Sequence, residues 1–139
     1  MIQLVAVPAA TVEKIWPRLD AAYAEACRHS RGTLTKEVVK ARAVNGSGTL
    51  WIAAEDRDTE VTATCLTSYA AFPGGLRALF VELIGGTVQF DIFDFRATLE
   101  KQAKADGCHA VFFILPRKWA AKIPDYKISH CLMIKELAP

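Results

Sequence analysis

At 139 residues, 52% apolar and 23% charged, the chain carries enough apolar material for one compact core and too much for a disordered segment. Its 17 basic and 15 acidic residues leave a net charge of +2 with no long run of either sign. That excludes the dense cationic surface a phosphate backbone demands, so nucleic acid is not an expected partner.

The opening MIQLVAVPAATVEKIW lacks a cationic leader and is broken by Pro8, Glu13 and Lys14, so it reads as a first strand, Ile2 to Val7, and not as a signal peptide. A cytoplasmic location is the expectation. Val12, Ile15, Trp16, Leu19, Tyr23, Ala26 and Cys27 then recur at helical spacing, with Thr11 as N-cap and Gly32 beyond the end. Pro17 inside this pattern predicts a kink or a restart. A second, shorter helix capped by Thr33 or Thr35 runs through Glu37, Val38 and Ala41 to the turn Asn45, Gly46, Ser47, Gly48.

TLWIAAE and VTATCLTSYAAF, separated by the polar EDRDTE, predict an antiparallel hairpin, and Phe72 to Gly75 turn the chain into a third strand, LRALFVELI. No window approaches the roughly 20 apolar residues of a membrane span, since even ALFVELIGG holds Glu82. The period then changes. Phe90, Phe93, Ala97, Glu100, Lys101 and Lys104 describe a helix closing at Gly107, and CHAVFFIL is a nearly continuous apolar strand, the kind covered on both faces. Strand, helix, strand in this order predicts a parallel pair. RKWAAKIPDY forms a short helix or turn, and KISHCLMIKEL a final strand.

The four cysteines, Cys27, Cys65, Cys108 and Cys131, lie in apolar periodic segments and read as reduced, buried thiols. Cys108, His109, His130 and Cys131 could in number close a zinc site. Neighbours on a strand point to opposite faces, however, so no metal is expected.

The order β, α, α, β, β, β, α, β, α, β resembles the GNAT superfamily of N-acetyltransferases. The likeness is strongest to small GNAT-like proteins of tailed phages and prophages. It is carried by Ile15 and Trp16, by LWIAAEDRDTEV, by Ala103, Asp106, Gly107 and Cys108, by Arg117, Lys118 and Trp119, and by Ile123 to Tyr126 before Lys135, Glu136 and Leu137. It implies a single α/β (α+β) domain over residues 1–139, a mixed, mostly antiparallel sheet with a central splayed parallel pair and flanking helices.

The resemblance also implies acetyl-CoA, with its pantetheine arm between LRALFVELI and HAVFFIL and its pyrophosphate at Ile84, Gly85, Gly86, Thr87 and Val88. Amides at a helix N-terminus favour an anion there, although a Gly-Gly pair also suits a tight turn. The family's string of Arg or Gln, two residues, then Gly-x-Gly or Gly-x-Ala is absent. Glu82 falls on the strand where the resemblance places the acceptor amine near the thioester, and where a carboxylate could act as general base through a water. Burial among Phe80 and Ile84 would raise its pKa, whereas a surface position would leave it solvated. Tyr126 lies two residues past the family's general-acid tyrosine and is a displaced candidate. Arg117 and Trp119 either contact a ligand or cap and pack. The implied acceptor is a small-molecule or protein amine. The alternative is a non-catalytic virion, assembly or host-protein-binding component, and a homodimer is possible under either.

Overall fold

The computed structural model describes residues 3–30, 32–54, 61–86, 95–115, 117–129 and 133–139. Its elements are β1 (Gln3–Val7), α1 (Val12–Arg28), α2 (Lys36–Asn45), β2 (Thr49–Ala54), β3 (Ala63–Ala71), β4 (Arg77–Gly86), α3 (Arg96–Ala105) and β5 (Ala110–Phe113), with 3-10 turns at Ala9–Thr11 and Arg117–Lys122. The strands form one mixed sheet in the order β1-β2-β3-β4-β5. Every pairing is antiparallel except β4 with β5, which is parallel, as the strand, helix, strand order requires.

Helices cover both faces. On one, α1 and α2 bury Val12, Leu19, Tyr23 and Val39 against Leu50, Leu66 and Leu83. On the other, Leu99 and Ala103 of α3 pack with Ile123 on Trp51, Cys65, Leu79 and Val81. Tyr23 ties α1 to the sheet: its buried hydroxyl lies 3.0 Å from the carbonyl oxygens of both Trp51 and Cys65 and donates to them.

The helix ends follow local chemistry. Thr35 accepts from the Val38 amide at 3.3 Å and Gly46 closes α2 at φ +84°, where a side chain would be strained. Past α3, Cys108 N–H donates to Ala103 and Gly107 N–H to Lys104, a Schellman closure centred on Gly107 at φ +77°. Two expectations at α1 are corrected. The Thr11 hydroxyl donates back to Pro8 O at 2.9 Å and does not cap, because a 3-10 turn precedes the helix. The helix also runs through Pro17 without restarting.

Further corrections fall at the C-terminal side. CHAVFFIL is not a central strand: β5 is four residues long, pairs with β4 alone among the described residues, and is only half-buried. KISHCLMIKEL forms no strand in its described part, where Ile128 is 59% and Met133 92% exposed. Alternation supplies a strand's pattern, but a strand also needs a partner edge. Residues 55–60, 90–94 and 130–132 lie outside the described residues, so EDRDTE, the expected start of the α3 helix at Phe90 and Phe93, and the His130, Cys131 pair go with them. Cys27, Cys65 and Cys108 are free thiols. Among the described residues no helix is long and apolar enough to cross a membrane, and no group of three His, Cys, Asp or Glu is placed to hold a metal.

Candidate functional site

The sheet is irregular at one place, the middle of β4. Leu66 faces Leu83 while its neighbour Thr67 faces Val81, so Glu82 is the extra residue of a β-bulge. On the other edge of β4, pairing with β5 runs from Ala78 and Ala110 to Val81 and Phe113, and the Ile114 amide still donates to Val81 O at 3.0 Å. From Glu82 to Gly86 β4 continues with β3 alone, and no described strand pairs with its β5 side. The parallel pair therefore ends at the bulge.

The bulge changes the face of the β4 residues that follow it. Ser68 and Phe80 are register partners and share the α2 face, and the Glu82 carboxylate accepts a hydrogen bond from Ser68 and so lies there too. Leu83 joins the α1/α2 core next to it, and Ile84 turns to the α3 core, where it is 5% exposed. The expected alternation of Phe80, Glu82 and Ile84 on one face is thus corrected: one inserted residue shifts everything after it by one position.

Glu82 is clamped by Arg42 of α2, whose guanidinium donates to both carboxylate oxygens, Nη2 to Oε2 at 2.7 Å and Nη1 to Oε1 at 3.2 Å. Arg42 also donates to the carbonyl of Ser47 at 3.3 Å. Burial acts to raise the Glu82 pKa, but the hydrogen bonds from Arg42 and Ser68 and the Arg42 charge outweigh it, and the carboxyl sits below its ordinary value. The raised pKa anticipated for a buried Glu82 is therefore reversed, and the group is an ionised, paired carboxylate at neutral pH.

The junction glycines are strand residues, not a tight turn: Gly85 pairs with Thr64 and Gly86 with Ala63. Gly85 has a packing reason. A Cβ there would lie 2.8 Å from Ala26 Cβ and 3.1 Å from Thr64 Oγ1, so its missing side chain lets α1 approach the sheet. Gly86 is the exposed end of β4. Thr87 and Val88 lie outside the described residues.

Tyr126 is on the opposite side. Its phenol donates to Glu100 of α3 at 2.8 Å and its ring meets Phe113 edge-on at 5.2 Å. Burial, then the bond to the Glu100 carboxylate, push its pKa up, so it keeps its proton well past neutrality. Glu82, held from α2, and Tyr126, held from α3, thus project from opposite faces of the sheet. A surface cavity of about 380 Å³ beside Tyr126, shared with Glu100, Lys104, Cys108 and His109, lies on the Tyr126 side. Trp119 packs on the α3-side core, as one of its two readings held, and Arg117 is exposed.

Sequence reasoning missed Arg42, Ser68 and a cluster of three phenylalanines. Phe80 of β4 and Phe112 of β5 meet edge-on at 5.0 Å, and Phe72 packs on both, at 6.3 and 5.7 Å. Phe80 was legible as the residue two before Glu82. Arg42 was not, because nothing local marks a partner forty residues away.

No protein-family model and no curated protein matches the sequence. Solved structures do match in shape. An aminoglycoside acetyltransferase from an uncultured soil metagenomic sample, in complex with trehalose, has a TM-score of 0.70 at 6% identity, over 99% of this chain and 97% of that one. The ribosomal-protein-alanine N-acetyltransferase of Brucella melitensis biovar Abortus 2308 has 0.66 at 13%, over 99% of both chains. An aminoglycoside N-acetyltransferase in complex with CoA has 0.63 at 11%, over 99% and 96%. The chain has the fold of these acetyltransferases. With identities this low the likeness is one of fold, and it agrees with the GNAT-like α/β architecture that the resemblance implied.

Proposed function

We propose that the protein is an N-acyltransferase that uses an acyl-CoA, acetyl-CoA in the simplest case, and a primary amine. The observation that carries this reading is the coincidence of two irregularities: the β4 bulge at Glu82 lies where the parallel β4–β5 pair ends. An extended pantetheine arm requires such a gap. The β4 backbone from Glu82 to Gly86 has strand β3 on one side only, which fits the arm, and Ile84, Gly85 and Gly86 would hold it through backbone groups. Thr87 and Val88 are proposed to meet the pyrophosphate.

When bound, acetyl-CoA supplies an activated acyl carbon, to which the amine nitrogen bonds as the C–S bond breaks, giving an amide and the free thiol. Glu82 accepts the proton that the nitrogen loses, directly or through one water. Arg42 keeps that carboxylate ionised and aimed, at the cost of basicity. Tyr126 is the phenol proposed to return a proton to the sulfur, and for that its bond to Glu100 must break.

Such an enzyme would act in the cytoplasm, where acyl-CoA is available. One observation favours a second reading, in which a phage or prophage keeps the scaffold as a virion, assembly or host-protein-binding part: Glu82 already accepts hydrogen bonds from Arg42 and Ser68, as a structural carboxylate does. Titration calorimetry with CoA and acetyl-CoA separates the two. A ligand that binds only the native state also raises the unfolding free energy by about 2.7 kcal/mol at a hundredfold excess over Kd. Absence of binding at millimolar CoA to the folded chain would refute the acyltransferase and leave the scaffold.

A further inference from the structure

The face that carries Glu82 also constrains which amine could sit against it. Alternation places Ser68 of β3, Phe80 of β4 and Phe112 of β5 on the same face as Glu82, Ile114 follows one residue past β5 with its amide on Val81 O, and Phe72 packs against the two phenylalanines. The three rings form one surface running from the β3–β4 turn toward the bulge. It is open at its edges, with Phe72 38% and Ile114 53% exposed. Among the described residues no helix contributes to this ring cluster, whereas α1 packs over β2 to β4.

Charge is the second constraint. Among the described residues of β3, β4 and β5 on this face, Glu82 is the only ionisable one, and Arg42 neutralises it at 2.7 Å. Among the described residues these strands therefore offer one anchoring carboxylate and no surplus negative charge. A polycationic acceptor needs several carboxylates to offset the loss of its hydration, and the described residues of these strands offer only Glu82 on this face. Aromatic walls do the opposite: they favour a flat apolar body and tolerate a single ammonium over a ring face.

We propose that the acceptor is a monoamine on an aromatic body, seated on Phe72, Phe80 and Phe112 with its nitrogen at Glu82. This specificity rests on the acyltransferase reading, although binding of the amine does not need the acyl donor. The aromatic ring replaces water over the three phenylalanines, and the ring, its two-carbon arm and a hydrogen bond from nitrogen to carboxylate together cover the roughly 6.6 Å rise along β4 from Phe80 to Glu82.

The test has two arms. In the first, 2-phenylethylamine and tyramine are compared with spermidine and kanamycin as acceptors by release of free thiol from acetyl-CoA. The expected result is a kcat/KM about tenfold or more higher for the aromatic amines, the scale on which apolar pockets discriminate. In the second, saturation-transfer NMR follows 2-phenylethylamine on the protein alone. Phe112→Ala is expected to abolish the transfer and to raise KM by about tenfold with the Kd for acetyl-CoA unchanged. Phe72→Ala, at a more exposed ring, gives a smaller effect of the same sign and covers the case in which Phe112→Ala unfolds. Equal or better turnover of spermidine or kanamycin would overturn the inference, as would the lack of saturation transfer at millimolar 2-phenylethylamine. Failure of acetyl-CoA to bind overturns the acyltransferase instead, and the NMR arm still decides whether this face takes an aromatic amine.

Discussion

Gly85→Ala isolates the packing demand at the centre of the fold. The new Cβ would lie 2.8 Å from the Ala26 methyl, about an ångström inside the optimal carbon separation of ~3.5–4.0 Å, and 3.1 Å from Thr64 Oγ1. Neither neighbour is the flexible end of a long side chain, so α1 or β4 must move. Overpacking of this kind costs about 1–3 kcal/mol, offset by about 0.4–1 kcal/mol from the stiffer unfolded chain, for a net loss of roughly 1–2 kcal/mol. Ala26→Gly alone costs about 1 kcal/mol, the price of glycine inside a helix. Combined, the two changes remove the 2.8 Å clash and leave only the milder contacts, Thr64 Oγ1 at 3.1 Å and Ala26 Cα at 3.4 Å. The double variant should therefore be more stable than additivity predicts, by about 1 kcal/mol or more. Urea unfolding of the four proteins at 25 °C measures this coupling. A Gly85→Ala protein as stable as the parent, or a coupling within error of zero, would refute the close approach of α1 and return Gly85 to a role in ligand contact alone.

Two further outcomes follow from the paired carboxylate and the distant phenol. Because the folded-state pKa of Glu82 is lowered, its pairing with Arg42 contributes fully above the unfolded value of about 4.3 and is lost as pH falls through the folded value. Arg42→Ala should cost about 1–3 kcal/mol at pH 7 and less at pH 3, and an undiminished cost at pH 3 in chemical unfolding would contradict the assignment. Tyr126→Phe should lower kcat about a hundredfold or more, with KM for the amine unchanged, if the phenol protonates the departing sulfur. An unchanged kcat with a loss of roughly 1 kcal/mol of stability would make the bond to Glu100 its whole role.

How much of this was legible depended on the range of the interaction behind each feature. Thr35, Gly46 and Gly107 were readable because a cap or a left-handed turn is settled within a few residues. The parallel β4–β5 pair was readable because a strand, helix, strand order has one favoured handedness. The bulge was not: LFVELIGG reads the same with or without an inserted residue, and only the register against β3 reveals that Glu82 has no partner and that Ile84 has changed face. Gly85 carried the right letter for the wrong reason, since its missing Cβ serves Ala26, a helix residue far away in sequence. The C-terminal segment shows the converse. Its alternation is clear, yet Met133 and Leu137 are 92% and 82% exposed, because periodicity specifies which face a strand would bury and not whether an edge receives it.

The candidate site is a consequence of unequal strand lengths. β4 has ten residues and β5 four, so β4 outruns its parallel neighbour, and among the described residues its backbone there has one strand partner, β3. The bulge falls at that limit, and α2 holds it. Thr35 starts the helix and Gly46 ends it, and that short span carries Arg42 over the sheet with its fork on Glu82. A bulge leaves its extra residue without a ladder partner, and here the bidentate guanidinium and Ser68 hold its side chain in place of that partner. The geometry of the carboxylate is therefore set by a helix that belongs to the packing of the fold. Weakening α2 at Thr35 should disorder Glu82 before it unfolds the chain, since α2 buries only Val39 and Ala43 as core residues.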